Sequence, residues 1–287
     1  MIQILVTGGN GQLASCIKNA VDGLDEYNFI YVDLDELDIT DKNAVDRFFE
    51  KTKPKWCINC AAYTAVDKAE LDIELAEKVN IDGAKYLAQA SKNYDSKFIQ
   101  ISTDFVFDGA KGSIYGETDE TSPLSVYGRT KLQGEQVTAK EVDEHFILRT
   151  SWLYSEFGNN FLKTMMRLGS ERAELNVVAD QIGTPTYAGD LAELIKSIIT
   201  ADSEAYGLYH YSNEGVASWY DFAKAIMDVS QTACKVLPIK TEGYPTPATR
   251  PAFSVMDKSK IKNEFEIEIP YWRDSLKKCL NILQNND

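Results

Sequence analysis

Three features of the sequence predict an α/β fold, a doubly wound parallel sheet with a smaller C-terminal domain. Strand-like and helix-like segments alternate through residues 1–150, the rhythm of repeated βαβ units. The first strand runs straight into a glycine-rich turn that opens a helix, the context that gives such a turn meaning. Beyond Tyr154 the alternation loosens into helices and short extended pieces. Together these describe a Rossmann-type domain over 1–155 and a mainly substrate-binding domain over 156–287, with segments at about 184–212 returning to the first.

Each element has a local reason. Ile2-Gln3-Ile4-Leu5-Val6-Thr7 is rich in β-branched residues, and helix-compatible Ser15 to Val21 follows the turn. Gly9, Gly11 and Ala14 fit G-x-G-x-x-G/A, and Gly8, Gly11 and Ala14 fit G-x-x-G-x-x-A equally well. Either spacing permits a tight turn and close approach of a pyrophosphate to a helix N-terminus. Phe29 to Val32 forms the second strand and ends in Asp33. An acid about 20 residues past the glycines binds a ribose 2′-hydroxyl and repels a 2′-phosphate, which favours NADH over NADPH. Asp41 to Glu50 reads as a helix presenting Val45, Phe48 and Phe49, and Trp56 to Ala62 as the next strand. Leu71 to Lys92 carries one long helical pattern. Lys97 to Ile101 is a strand ending in Ser102-Thr103-Asp104, polar residues at the strand end where open α/β sheets bind ligands. Ser122 or Ser125 caps the helix that follows, and His145 to Thr150 is a further strand. The second half predicts helices at 161–168, 190–200, 219–229 and 272–283, an extended piece at 174–179 and a turn at 183–186. Pro245, Pro247 and Pro251 make 243–254 a loop. Arg250 within it is suited to gripping a phosphate with two parallel hydrogen bonds.

Composition narrows the function. The 287 residues carry a net charge of −14, which argues against a nucleic-acid partner. No apolar run reaches the roughly 18 residues of a membrane helix. The N-terminus shows neither a basic start nor a small-residue cleavage site, so a cytoplasmic location is expected. The five cysteines are an odd number without a secretory signal and read as free thiols. Cys57 and Cys60 have redox-motif spacing, but on a strand they face opposite ways, too far apart for a disulfide. His145 and His210 sit in strand-like runs, and no Gly-x-Ser-x-Gly elbow supports a serine nucleophile.

The chemistry centres on Tyr127-Gly128-Arg129-Thr130-Lys131. Residues four apart on a helix share a face. A lysine ammonium beside a tyrosine stabilises the phenolate and is expected to lower its pKa from about 10. Such a pair gives a proton to a carbonyl oxygen or takes one from an alcohol. Thr103 is placed to hydrogen-bond the same oxygen, and Asp104 to bind a substrate hydroxyl.

These motifs resemble the extended short-chain dehydrogenase/reductase superfamily and, within it, the dTDP-4-dehydrorhamnose reductase family. The likeness runs through Thr7 to Leu13, Asn59 to Glu70, Ser102 to Gly109, Tyr127 to Lys131, Arg149 to Tyr154, Asp180 to Pro185 and Arg250 to Ser254. It implies hydride transfer from NADH or NADPH to the C4 ketone of a dTDP-hexulose, giving dTDP-L-rhamnose. Tyr127 is then the proton donor, Lys131 anchors the nicotinamide ribose and Thr103 holds the carbonyl. The implied cofactor set is Gly8, Asn10, Gly11, Gln12 and Leu13 in the turn, with Asp33, Asp38 and Ile39 near the adenosine. Ala61, Ala62, Tyr63, Thr64 and Ser102 complete it, beside Tyr127 and Lys131. Thr64, Val66, Thr103, Asp104, Tyr127 and Trp152 face the sugar, with Arg250 as the phosphate candidate. Ala14 stands where the third glycine is usual, and Phe105 where the family usually has Tyr, so Phe105 receives no polar role. Glutamates that hold magnesium at a dimer interface in some members have no match here, and no metal is expected. A monomer or homodimer is expected, without membrane or nucleic-acid partners. Two competing readings remain: an epimerase or dehydratase on the same fold, and a non-catalytic module like the regulatory subunit of methionine adenosyltransferase. A dehydratase needs an acid just after the Thr-Asp pair, where Phe105 stands.

Overall fold

The computed structural model describes residues 1–286. Six parallel strands form the central sheet, in the order Gly207–His210, His145–Thr150, Lys97–Thr103, Trp56–Asn59, Ile2–Thr7, Tyr27–Val32. The order reverses between Ile2–Thr7 and Trp56–Asn59, and ligands bind outside the carboxyl ends of strands at such a point.

Side-chain alternation along the strands builds two cores. Ile4 and Val6 point to one face with Trp56, Ile58 and Phe146, covered by the helices Gln12–Ala20 and Ala188–Thr200. Leu5, Cys57 and Phe98 point to the other, covered by Val45 and Phe49 of Lys42–Thr52 and by Leu87 and Ala88 of Ala84–Asn93. Burying both faces this way is what a parallel sheet requires. Cys57 lies in one core and Cys60 packs against the other, so the two thiols are separated by the sheet.

A third core gathers Leu162, Phe222, Trp272 and Leu276 from the helices Phe161–Glu171, Trp219–Ser230 and Trp272–Asn286, with Tyr154 of the short strand Leu153–Tyr154. It includes Leu175 and Val236 of the parallel pair Glu174–Val178 and Lys235–Ile239. Pro238 fits there because a two-stranded pair leaves its missing N–H on an edge. The strand Lys235–Ile239 and the short helix Ser259–Phe265 are absent from the sequence reading. Both are too short to show a clear period.

One expected helix is broken. The pattern over 71–92 resolves into Ile73–Glu77, a π-helical turn Lys78–Gly83 and Ala84–Asn93. The wide turn presents Asn80, whose Oδ1 accepts from the Tyr63 amide at 2.9 Å and whose Nδ2 donates to Thr130 Oγ1 at 2.9 Å. Such turns often mark functional sites. Here it ties the segment after the third sheet strand to the helix carrying Tyr127. Among the described residues no helix is long and apolar enough to cross a membrane.

Candidate active site

The glycine turn follows the first strand at the point where the sheet order reverses. Gly8 has φ +64°, and a Cβ there would lie 2.8 Å from the Ala61 amide nitrogen. Only glycine lets the ends of these two strands approach so closely. The Asn10 amide donates to Asp33 Oδ2 at 2.9 Å, so Asp33 holds the turn as well as facing the cleft. The helix Gln12–Ala20 starts at Gly11 with no side-chain cap and no acid in its first turn. The first amides of a helix have no partner within it, and together with the helix dipole they favour an anion. This turn therefore fits a pyrophosphate. Asp38 is held by the amide and hydroxyl of Thr40 at 2.8 Å, and Ile39 is buried beside it.

A cleft of about 800 Å³ runs from this turn to Tyr127 and Lys131. It brings together Gly8, Asn10, Gly11, Gln12, Leu13, Asp33, Asp38 and Ile39 with Ala61, Ala62, Thr64, Val66, Ser102, Thr103 and Asp104. Tyr127, Lys131, Trp152 and Arg250 line the same space. Tyr63 is the expected residue that does not. Its hydroxyl donates to Asp72 Oδ2 at 2.8 Å and its main chain is tied to Asn80. Strand-like alternation turns it away from the side that Ala62 and Thr64 occupy.

The helix Val126–Glu141 is capped by Ser125, whose hydroxyl accepts from the Gly128 amide at 3.2 Å. A Cβ at Gly128 would collide with the Phe105 carbonyl, so glycine here seats the helix against the turn Asp104–Val106. Phe105 then packs edge-on against Tyr127, ring centroids 5.7 Å apart, a supporting contact rather than a polar one. Lys131 is 5% exposed, and its ammonium donates to the Ile101 carbonyl at 2.6 Å.

The electrostatics correct one expectation. Burial pushes the Tyr127 phenol up to about 12; the nearby Thr103 hydroxyl pulls it down and the Asp104 charge pushes it up. The neighbouring Lys131 does not bring it below its ordinary value. Burial instead brings Lys131 down to about 8, opposed by the charges of Glu135 and Cys60. In this fold desolvation outweighs the attraction between the two groups. Asp104 is 1% exposed and pushed up to about 6, again mainly by burial. Its Oδ1 accepts from Thr103 at 3.1 Å and its Oδ2 from Ser254 at 2.6 Å. It positions Thr103 as much as it offers a carboxylate. Ser102 lines the cleft, but its hydroxyl donates to Glu135 at 2.5 Å, in a buried ion pair with Arg149.

Trp152 adopts φ +47°, costly for a bulky residue and typical of functional sites. Its ring stacks on Trp219 at 3.6 Å, and both line the cleft. Trp219 is a site residue that sequence reasoning missed. It opens a helix in the C-terminal half, and nothing nearby in the chain signals its partner. Asn160 was also missed; its Nδ2 lies 3.3 Å from Gln12 Oε1 and so meets the start of the first helix. Among the described residues no group of three or more His, Cys, Asp or Glu is placed to hold a metal ion.

The family model described as RmlD substrate binding domain matches residues 2–285. A dTDP-4-dehydrorhamnose reductase of Aggregatibacter actinomycetemcomitans is 44% identical, covering 96% of this chain and 98% of that protein. This chain belongs to the dTDP-4-dehydrorhamnose reductase family. A crystal structure of a dTDP-4-dehydrorhamnose reductase from Clostridium acetobutylicum matches at 43% identity and TM-score 0.95, covering 99% of this chain and 100% of that one. The Bacillus anthracis dTDP-4-dehydrorhamnose reductase, solved in complex with NADP, matches at 39% identity and TM-score 0.95, covering 98% and 100%. The match to this reductase family spans the glycine turn, the helix Val126–Glu141 and the C-terminal core alike.

Proposed function

We propose that this chain reduces the C4 ketone of dTDP-4-dehydro-6-deoxy-L-mannose (dTDP-6-deoxy-L-lyxo-4-hexulose) to dTDP-L-rhamnose, using NADH or NADPH. The observation that carries the reading is one cleft with an anion-binding glycine turn at one end and Tyr127, Lys131 and Thr103 at the other. When bound, the nicotinamide cofactor supplies the hydride. The chain's own residues do the rest. The amides of Gln12 and Leu13 receive the pyrophosphate, and Asp33 and Asp38 meet the adenosine side. The Tyr127 phenol, raised to about 12, keeps its proton throughout the neutral range and gives it to the ketone oxygen. The Thr103 hydroxyl stabilises the same oxygen as charge builds there. Lys131 carries its positive charge below about pH 8 and stabilises the phenolate left behind.

Thr64, Val66 and the stacked Trp152 and Trp219 form the walls for the sugar, and Arg250 receives the diphosphate. Residues 1–155, with about 184–212, serve the cofactor; the rest of 156–287 serves mainly the substrate. The strand Gly207–His210 and the helix Ala188–Thr200 support that division, since both pack with the central sheet. The reading places the reaction in the cytoplasm, in a monomer or homodimer; sedimentation of the purified chain decides between these two.

The test is a coupled assay in which the hexulose is made in situ and oxidation of NADH and NADPH is followed. One reduced cofactor consumed per dTDP-L-rhamnose formed is the expected result. Product formed without net oxidation points to an epimerase or dehydratase, which recycles its cofactor. Tight cofactor binding without turnover points to a regulatory module.

A further inference from the structure

Of the described residues lining the cleft, Lys131 and Arg250 alone carry positive charge. The chain as a whole carries −14. Binding of an anionic diphosphate therefore depends heavily on how Arg250 is presented. Arg250 belongs to the loop after Thr241–Gly243 and is tied back to the short helix Val66–Ala69. Its Nη1 donates to Asp67 Oδ1 at 3.0 Å and its Nη2 to Asp67 Oδ2 at 2.8 Å. Nη1 also reaches Thr246 Oγ1 at 2.6 Å and the Ala248 carbonyl at 3.1 Å. Asp67 Oδ1 accepts in addition from the Ala248 amide at 3.2 Å, so one carboxylate fastens both the guanidinium and its loop.

A guanidinium has two forks of paired donors. Asp67 takes the end-on fork formed by Nη1 and Nη2. The side fork, Nε–H and the second Nη2–H, has no partner among the described residues. Arg250 lines the cleft whereas Asp67, Thr246 and Ala248 do not. With the end-on fork taken by Asp67, the side fork is the part of this cleft-lining guanidinium left to meet a ligand.

We propose that Asp67 is a positioning residue for substrate: it fixes Arg250 by one fork so that the other stands ready for two oxygens of the nucleotide sugar's diphosphate. The inference rests on the proposed activity and names the device that seats its substrate. Asp67 itself does not line the cleft. It acts by removing the rotamer freedom that Arg250 otherwise loses on binding.

Calorimetric titration with dTDP tests this, with thymidine, which has no phosphate, as the control. Loss of the fork's orientation in Asp67→Ala is expected to weaken dTDP binding about tenfold and to raise KM for the sugar nucleotide similarly. Thymidine binding, KM for the reduced cofactor and kcat stay close to wild type. Asp67→Asn keeps one acceptor and loses about threefold. In an Arg250→Ala background, Asp67→Ala adds nothing further, because the two residues act as one unit. A general loosening of the fold would instead lower thymidine and cofactor binding together and give additive losses, which overturns the proposal. Tighter dTDP binding in Asp67→Ala also overturns it, since Asp67 would then be only a competing anion. A wild-type chain that binds reduced cofactor but no dTDP overturns the proposed activity along with this inference. A wild type that binds dTDP no better than Asp67→Ala overturns the inference alone.

Discussion

Replacing Lys131 by Met should make the cofactor-free protein more stable while removing its activity. Lys131 is 5% exposed, and burial brings its ammonium from 10.5 to about 8. At about 1.4 kcal/mol per pH unit, that corresponds to about 3 kcal/mol of folding cost at neutral pH. Methionine is unbranched, one atom shorter than lysine, and carries no charge. It forfeits the hydrogen bond to the Ile101 carbonyl, which offsets about 1–2 kcal/mol. The net expectation is a gain of about 1–2 kcal/mol at pH 7. The pH dependence has a defined sign. Below about pH 8 both folded and unfolded chains hold the proton and the cost is full. Between about 8 and 10.5 the unfolded chain binds more protons, so wild-type stability rises with pH. The advantage of Lys131→Met therefore shrinks across that window and reverses before its top, where only the lost hydrogen bond to Ile101 remains. Urea unfolding followed by tryptophan fluorescence at several pH values measures it directly. A variant less stable than wild type at pH 7, with a difference that does not change between pH 8 and 10.5, would refute the argument that this lysine is held charged at the expense of the fold.

Other outcomes follow from the same geometry. Tyr127→Phe should lower kcat by about 10²–10⁴ with little change in NADPH affinity by fluorescence titration; an unchanged rate removes the phenol from the mechanism. In the wild type, kcat/KM should fall along a basic limb near pH 8 as Lys131 loses its proton, while Tyr127, near 12, keeps its own. A profile flat to pH 10 contradicts that assignment. Asp33→Asn keeps an acceptor for the Asn10 amide but removes the charge. It should raise the NADPH/NADH ratio of kcat/KM by about tenfold, and a wild type that already prefers NADPH strongly shows that the carboxylate does not select.

Much of this was legible because its causes are local. The run Ile2–Thr7, the glycines and the helix after them depend on neighbours in the chain, and the structure places them as expected. Ser125 caps the catalytic helix for the same reason. What the sequence hid depends on distant partners. The π-turn answers to Tyr63 and Thr130, 17 and 50 residues from Asn80. Asp67 meets Arg250 across 183 residues. Trp219 becomes a site residue only because Trp152 stacks on it. The pairing of Tyr127 with Lys131 was visible as a spacing, but the direction of their pKa shifts was not. Burial sets that direction, and burial is a property of the whole fold.

The most direct measurement follows deuterium from the reduced nicotinamide of labelled NADPH into the hexulose, comparing wild type with Tyr127→Phe. The account predicts one deuterium at C4 of the sugar for each cofactor oxidised, at a rate at least two decades slower in the variant. Deuterium elsewhere on the sugar, or product formed while the cofactor stays reduced, contradicts it.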